Sequence, residues 1–202
     1  MTSYPAAAKQ LLRETLLDAA DAVLQERPWA RVSMGEVAKR AGVSRQTLYN
    51  EFGGRRELAE AFLLREADRL LAGPELQIAN HPDDPRAAIS GALRTFLEAA
   101  ARNRLLQSMV AEPEDGLLAL VTTRDVVLTA AVERLAATIE RTWPDVDAKA
   151  ARRLTETVVR LGISHATLPT ASPAAAAREL AEVLGPHLEA LVEAPSKSTR
   201  AA

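Results

Sequence analysis

The sequence contains no cysteine, few aromatic residues and no long apolar run, and each of these absences excludes a class of protein. Without cysteine the chain has neither a disulfide framework nor a thiolate metal site, which fits a reducing cytoplasm. No segment approaches the roughly 18 apolar residues that a membrane-spanning helix needs. The N-terminal segment lacks the basic and apolar regions of a signal peptide. We therefore expect a soluble, cytoplasmic protein with no membrane contact.

Catalytic motifs are also missing from the sequence. It contains no HExxH, GxSxG, glycine-rich phosphate loop or Cys/His metal spacing. The histidines, at positions 81, 165 and 187, are scattered along the chain, and the acidic pairs are better explained as caps and loops. We expect no enzyme, no catalytic residue, no bound metal and no cofactor.

Apolar residues at helical spacing are abundant, whereas strand patterns are almost absent. Hydrophobic residues make up 48% of the 202 residues, enough to form a substantial core. The spacing predicts an all-α fold of about nine helices. The predicted helices include 8–26, 55–71, 85–102, 117–142, 147–167 and one from Ser172 that Gly185-Pro186 kinks or splits. Residues 73–85, rich in proline and glycine, are predicted to be a loop at a domain boundary.

The segment from Ser33 to Leu71 carries the clearest functional pattern. Ser33 and Glu36 have the spacing of a capping box, Gly42 is suited to a tight turn, and Ser44 can cap the next helix. From Ser33 to Arg56 there are five basic and two acidic residues, so the segment carries 5 − 2 = +3 while the whole chain carries −2. A basic helix-turn-helix on an acidic body is typical of a DNA-binding protein.

The helix after Ser44 has the residue types that read a major groove. Arg can pair with guanine, Gln with adenine and a Thr methyl with thymine, while Tyr and a following Arg can contact phosphate. The alternative is an ordinary solvated helix face, which the glycine turn and the local positive charge make the weaker interpretation. The predicted DNA-binding residues are Ser33, Ser44, Arg45, Gln46, Thr47, Tyr49 and Arg55.

The run VAKRAGVSRQTLYNEFGGRREL, residues 37–58, resembles the DNA-binding signature of TetR-type bacterial transcriptional regulators, and the resemblance extends over about residues 8–71. The longer motif TLYNEFGGRRELAEAFLLREADRLL is similar to actinobacterial members linked to alkane, fatty-acid or lipid metabolism. Two residues depart from the pattern: Glu51 stands where members often have a neutral or basic residue, and Gly53 where lysine is common. Both departures weaken the expected attraction to the DNA backbone.

The resemblance implies a homodimer with two DNA-binding heads on a palindromic double-stranded operator. It also implies repression, and a helical body that binds a small effector and dimerises through the last two long helices. The domain organisation expected on this basis is a helix-turn-helix domain at 1–54, a connecting helix at 55–72, an effector-binding and dimerisation domain at 73–194 and a disordered tail at 195–202. One head reads too few base pairs for genomic specificity, which also favours a dimer.

The body contains two aromatic residues beyond position 72, Phe96 and Trp143, so planar aromatic ligands would find few stacking partners. We favour a small aliphatic effector such as a fatty acid or an acyl-CoA; a different, drug-like molecule and the absence of any effector remain alternatives. For His165, a core or interface position is favoured over a ligand contact. The candidate pocket residues are Phe96, Leu97, Leu105, Met109, Leu118, Val121, Leu128 and His165.

The last two long helices carry apolar stripes at helical spacing. If the dimer forms there, each stripe is buried between the core and the partner subunit. The candidate interface residues are Leu154, Val158, Leu161, Leu180, Leu184, Leu188 and Leu191.

Overall fold

The structure, a computed structural model, describes residues 4–103, 105–107 and 125–194. These residues form α-helices, one 3-10 turn and connecting loops, with no strand among them, which confirms the predicted all-α fold. No helix in the described ranges is long and apolar enough to cross a bilayer. The elements are α1 (Tyr4–Leu24), a 3-10 turn (Trp29–Arg31), α2 (Met34–Ala41), α3 (Arg45–Phe52), α4 (Arg55–Asn80), α5 (Pro85–Arg102), α6 (Asp125–Thr142), α7 (Ala148–Thr167) and α8 (Pro173–Glu193).

Some predictions concern residues that the structure does not describe. Among them are most of the predicted short helix near residues 104–111 and the tail at 195–202. Three candidate pocket residues also lie outside the described ranges: Met109, Leu118 and Val121.

Five helices, α2, α3, α5, α7 and α8, begin where the sequence places capping side chains. At each of these starts, a serine or aspartate oxygen accepts a hydrogen bond from the backbone N–H three residues later, which satisfies a donor that has no partner within the helix. The N···O distances are 3.3 Å at Ser33, 3.0 Å at Ser44, 2.8 Å at Asp84, 2.7 Å at Asp147 and 3.3 Å at Ser172.

The predicted end of the fourth helix near Leu71 is wrong, and so is the predicted loop at 73–85. Helix α4 continues through Gly73-Pro74 to Asn80, and only residues 81–84 separate it from α5. Helix α8 likewise runs unbroken through Gly185-Pro186. A proline inside a helix costs roughly 3 kcal/mol. Pro74 is buried in a packed interface, so tertiary contacts outweigh the local preference.

Two hydrophobic cores lie along α4. The first half of α4 packs with α1–α3 to form the head, whose most buried residues include Leu16, Leu48 and Phe62. The second half packs with α5–α8 to form the body, around residues such as Leu93 and Leu154. One continuous helix therefore supplies apolar residues to both cores.

A charged cluster fastens α6 to the second half of α4. Arg134 donates two hydrogen bonds to the Glu75 carboxylate, at 2.7 and 2.6 Å, and a third to Asp68 at 2.6 Å. The hydrogen bonds from Arg134 hold the pKa of Glu75 below its ordinary value of 4.5, against the opposing effect of burial. Glu75 therefore favours the folded state only while it is ionised.

Replacing Glu75 with glutamine keeps the shape of the side chain and removes its charge. Since the folded pKa is lowered, the contribution of Glu75 is complete above its unfolded pKa and is lost as the pH falls through the folded pKa. We expect Glu75→Gln to lower the melting temperature at neutral pH and to have a smaller effect near pH ~3. An equal decrease at both pH values would contradict the assigned role. Glu156→Gln, at an exposed ion pair on α7, is the matched control.

Close packing of α5 requires the glycine at position 73. A Cβ atom added to Gly73 would lie 2.4 Å from Cγ2 of Thr95. We expect Gly73→Ala to destabilise the fold by about 1–3 kcal/mol through this overlap. In a Thr95→Ser background, which lacks Cγ2, the same change is expected to stabilise it by up to ~1 kcal/mol, because alanine is the better helix former. Chemical denaturation of the four variants measures this; the same sign in both backgrounds would refute the steric explanation.

Candidate DNA-binding head and effector cavity

The turn between α2 and α3 requires a left-handed residue, and Gly42 occupies that position with φ 71° and ψ 25°. The N–H of Gly42 donates to the carbonyl of Lys39 at 3.2 Å, and that of Val43 donates to Ala38 at 3.0 Å. A β-carbon is disfavoured at this φ, which explains the glycine. The turn fixes the angle at which α3 leaves the head.

Helix α3 is anchored on one side and open on the other. Leu48 and Phe52 are buried in the head core, whereas Arg45, Gln46 and Tyr49 are exposed, Tyr49 by 40%. Thr47 is half-buried. The side chains that can hydrogen-bond to bases and phosphates therefore stand on the solvent side of a rigidly held helix.

The Arg45 side chain packs against α2 at Gly35, a residue that has no side chain. Its guanidinium lies against Gly35, where an added Cβ would be 3.3 Å from Nε. Within the described ranges no carboxylate forms an ion pair with Arg45. Its hydrogen-bond donors can therefore reach an external acceptor such as guanine or a phosphate.

The two predicted serines have a structural role in the head. The Ser33 hydroxyl accepts from the N–H of Glu36, and the backbone N–H of Ser33 donates to the Glu36 carboxylate at 3.0 Å, which completes the capping box of α2. The hydroxyl also donates to the same carboxylate at 2.8 Å. These hydrogen bonds from Ser33 lower the pKa of Glu36. Ser44 caps α3, and its hydroxyl lies 2.9 Å from that of Thr47. Both serines are exposed at the start of their helices, so capping and a contact to DNA can coexist.

Arg55, predicted to contact phosphate, has a partner that sequence analysis did not identify. Its guanidinium lies 4.6 Å from the centre of the Trp29 ring and donates to the Trp29 carbonyl. This contact joins the start of α4 to the 3-10 turn. An arginine has five donors, so Arg55 can keep this contact and still bind an anion. Trp29 and Arg55 are 26 positions apart, so no local pattern in the sequence could predict the pair.

The unusual acidic residue on α3 is neutralised within the head. Glu51 forms an ion pair with Arg13 of α1 at 3.1 Å, and the Arg13 guanidinium lies 4.7 Å from the centre of the Phe52 ring. The negative charge that Glu51 brings to the DNA-binding surface is therefore balanced by a cation from a neighbouring helix.

A cavity opens where the head and body cores meet along α4. It contains about 1010 Å³ of space free of protein atoms, including its opening to solvent. Leu63 and Val127 of the head core line it, as do Leu71 and Leu93 of the body core. Apart from Glu66, Asn103 and Thr167, the described wall is apolar. The other wall residues are Ala67, Leu70, Pro74, Ala92, Phe96, Leu105, Leu106, Ala131, Leu135, Val158, Val159, Gly162, Ile163 and Ala166.

Two predicted pocket residues, Phe96 and Leu105, belong to this wall. Leu97 is buried in the body core, and Leu128 and His165 are half-buried outside the wall. The contribution of α4 was missed because that helix was predicted to end near Leu71 and to serve only as a connection. The contact between Gly162 and Phe96 in the cavity wall was also not predicted. A Cβ atom added at Gly162 would lie 3.2 Å from Cε1 of Phe96.

The predicted interface residues fall into two groups. Four of them, Leu154, Leu180, Leu184 and Leu188, are already buried in the body core of the single chain. The three on α8 lie on the helix that packs against α5. The other three, Val158, Leu161 and Leu191, are half-buried, and Val158 lines the cavity. The most exposed large apolar side chains in this region are Leu168, at the C-cap of α7, and Val183 of α8. Leu168 is 72% exposed and Val183 is 74% exposed.

Metal binding is not supported by side-chain clustering in the described ranges. No group of three or more histidine, aspartate or glutamate side chains there is placed to hold an ion.

Comparisons with known proteins agree with this architecture. Residues 16–62 match the family model of bacterial regulatory proteins of the tetR family, and residues 84–186 match the C-terminal domain of the bacterial tetracycline repressor. The transcriptional regulator AlkX of Mycobacterium tuberculosis, of the HTH type, is 35% identical over 188 residues, which cover 92% of this chain and 89% of AlkX.

Solved structures show the same fold. The TetR family repressor AlkX from Dietzia sp. strain DQ12-45-1b, implicated in biodegradation of n-alkanes, superposes with a TM-score of 0.78 at 34% identity, over 90% of this chain and 97% of that one. Thermus thermophilus FadR, in complex with lauroyl-CoA, shares the fold at a TM-score of 0.61 and 24% identity, over 85% and 92% of the two chains. The chain therefore belongs to the TetR family of bacterial helix-turn-helix transcriptional regulators.

Proposed function

We propose that this protein is a cytoplasmic repressor that binds a palindromic operator as a homodimer and is released from it by a small, mainly aliphatic effector. The observation that carries the DNA-binding part is the exposure of Arg45, Gln46 and Tyr49 on a helix whose opposite side is buried. Such a helix can enter a major groove with its first turn against the base edges.

Some of the proposed contacts read the base sequence, and the others position the protein on the DNA backbone. Arg45 and Gln46 can pair with guanine and adenine, and the Thr47 methyl can touch thymine. Tyr49, Arg55 and the hydroxyls of Ser33 and Ser44 contact the backbone and fix the register. A second head, one helical turn or about 34–36 Å away, completes a palindromic site.

The homodimer is proposed to form through α7 and α8. Leu168 and Val183 are more than two-thirds exposed, and Leu161 and Leu191 are half-buried, so a partner subunit can cover apolar surface that the single chain leaves open. Leu154, Leu180, Leu184 and Leu188 then support the interface from inside each subunit. Sedimentation velocity at several concentrations tests this proposal; a monomer throughout would refute it.

The cavity supports an effector with an alkyl chain. Its described wall is aliphatic except for Phe96 and the polar Glu66, Asn103 and Thr167. Burying an alkyl chain against such a wall is favourable by about 0.8 kcal/mol per CH₂ group. The link of Dietzia AlkX to n-alkanes agrees with this chemistry.

Two variants test the DNA-binding head on the DNA that flanks the protein's own gene. We expect Arg45→Ala to weaken specific binding by about 1–3 kcal/mol, roughly 5- to 150-fold, and to relax base choice at one position. Tyr49→Phe should weaken binding with little dependence on sequence, because it removes a hydroxyl that contacts phosphate. Fluorescence anisotropy measures both, with Arg94→Ala on the exposed side of α5 as control. Unchanged binding in both variants would refute the assignment of α3.

The effector is tested by adding fatty acids and acyl-CoAs to the protein–DNA complex in a gel shift. Release by one class of lipid, blocked by Ala131→Leu, would support the proposal, because Ala131 lines the cavity and a larger side chain takes up ligand space. Ala130→Leu is the matched control, since Ala130 is the exposed neighbour on α6. We expect the cavity variant to lose at least ~10-fold in lipid affinity. A complex that no lipid dissociates would favour the alternative of a different small effector or none.

A further inference from the structure

One carboxylate connects the cavity to the head. Glu66 of α4 carries the only charged side chain in the described part of the cavity wall, and that side chain is 13% exposed. Its carboxylate accepts from Arg69 at 2.7 Å and lies 3.5 Å from the amide nitrogen of Asn103, another wall residue. Glu66 therefore contributes to the cavity wall and is also hydrogen-bonded to Asn103 and Arg69.

The residue before Glu66 holds the first helix of the head. Arg65 is largely buried and donates to the side chain of Asp18 at 2.7 Å and to the carbonyl of Leu17 at 3.0 Å, both on α1. Hydrogen bonds from a buried arginine to a carboxylate and a carbonyl are strong and directional. Arg65 therefore fixes the position of α1 relative to α4.

The two residues are separated by slightly more than a hydrogen bond. Oε1 of Glu66 lies 4.0 Å from Nε of Arg65, and this buried Nε has no hydrogen-bond partner within the described ranges. A movement of the carboxylate by about 1 Å would bring it within hydrogen-bond distance. The new bond to Nε would draw the guanidinium toward Glu66 and lengthen its hydrogen bonds to Asp18 and Leu17 of α1. Arg69, which lies 3.9 Å from Asp18, would lose part of its bond to Glu66.

We propose that Glu66 is a positioning residue that transmits occupancy of the cavity to the head, by changing how Arg65 holds α1. This inference rests on the effector-released repressor proposed above and adds the residue that couples its two sites. When the cavity is empty, Glu66 is hydrogen-bonded to Arg69 and Asn103, and Arg65 is hydrogen-bonded to α1. When the cavity is occupied, an alkyl chain packed against the apolar wall displaces the Asn103 side chain. Glu66 then turns toward Arg65, and α1 is held less tightly. Because α1 packs in the head core, the orientation of α3 changes with it.

The test measures coupling, which is the ratio of operator dissociation constants with and without saturating lauroyl-CoA. A ratio in the usual range of about 5- to 150-fold is expected for the unaltered protein. Glu66→Gln keeps the shape of the side chain and removes the charge that attracts Arg65. We expect its coupling to fall at least ~5-fold, while its operator affinity without lipid changes less than ~3-fold. The affinity of the variant for lauroyl-CoA is measured separately, so that coupling is compared at saturating lipid. Asp18→Asn, at the other end of the cluster, should lose coupling in the same way.

The control is Glu156→Gln, which makes the same substitution in an exposed ion pair on α7. Thermal melting of each variant separates a loss of coupling from a loss of folding. Full coupling in both Glu66→Gln and Asp18→Asn would overturn the inference and leave the proposed function intact. A variant Glu66→Gln that no longer binds lauroyl-CoA would also overturn it, since Glu66 would then be a ligand contact. Failure of the unaltered protein to respond to lauroyl-CoA, dodecanoate or any other lipid tested would overturn both.

Discussion

The continuity of α4 is the constraint on which the rest of the structure depends. This helix gives its first half to the head core and its second half to the body core, so neither core is complete without it. Pro74 would end the helix in isolation, but its burial and the close approach of Thr95 at Gly73 keep the helix intact. Movement at one end of a continuous helix is carried to the other end, whereas a flexible loop at this place would absorb it.

The head shows how a small protein can present charge without losing stability. Arg13 forms an ion pair with Glu51 and lies over the Phe52 ring, and Arg55 lies over the Trp29 ring. The cations near the DNA-binding surface are therefore also held by aromatic packing. Exposed ion pairs contribute little stability alone, but a guanidinium placed over an aromatic ring fixes the side chain at lower entropic cost. A pre-oriented arginine loses less freedom when it meets a phosphate, which favours binding.

The sequence predicted what depends on neighbours along the chain and failed where distant residues decide. The caps at Ser33, Asp84 and Asp147 and the left-handed turn at Gly42 were predictable, because each is set within a few residues. The passage of α4 through Gly73-Pro74 was not, because it depends on α5. Apolar spacing on α8 showed that Leu184 would be buried, but not that α5 of the same chain would cover it. The α4 side of the cavity was missed for the same reason.

The position of the cavity bears on how a ligand that never touches DNA could act on it. A ligand shifts an equilibrium only by the difference in its affinity for the two states. A cavity enclosed within one rigid core would keep the same shape whichever way the head pointed, and its ligand would have no such preference. Here Leu63 and Leu71 line one cavity but belong to different cores. Any change in the angle between head and body changes the shape of the space between them, so a ligand that fits one arrangement must favour it.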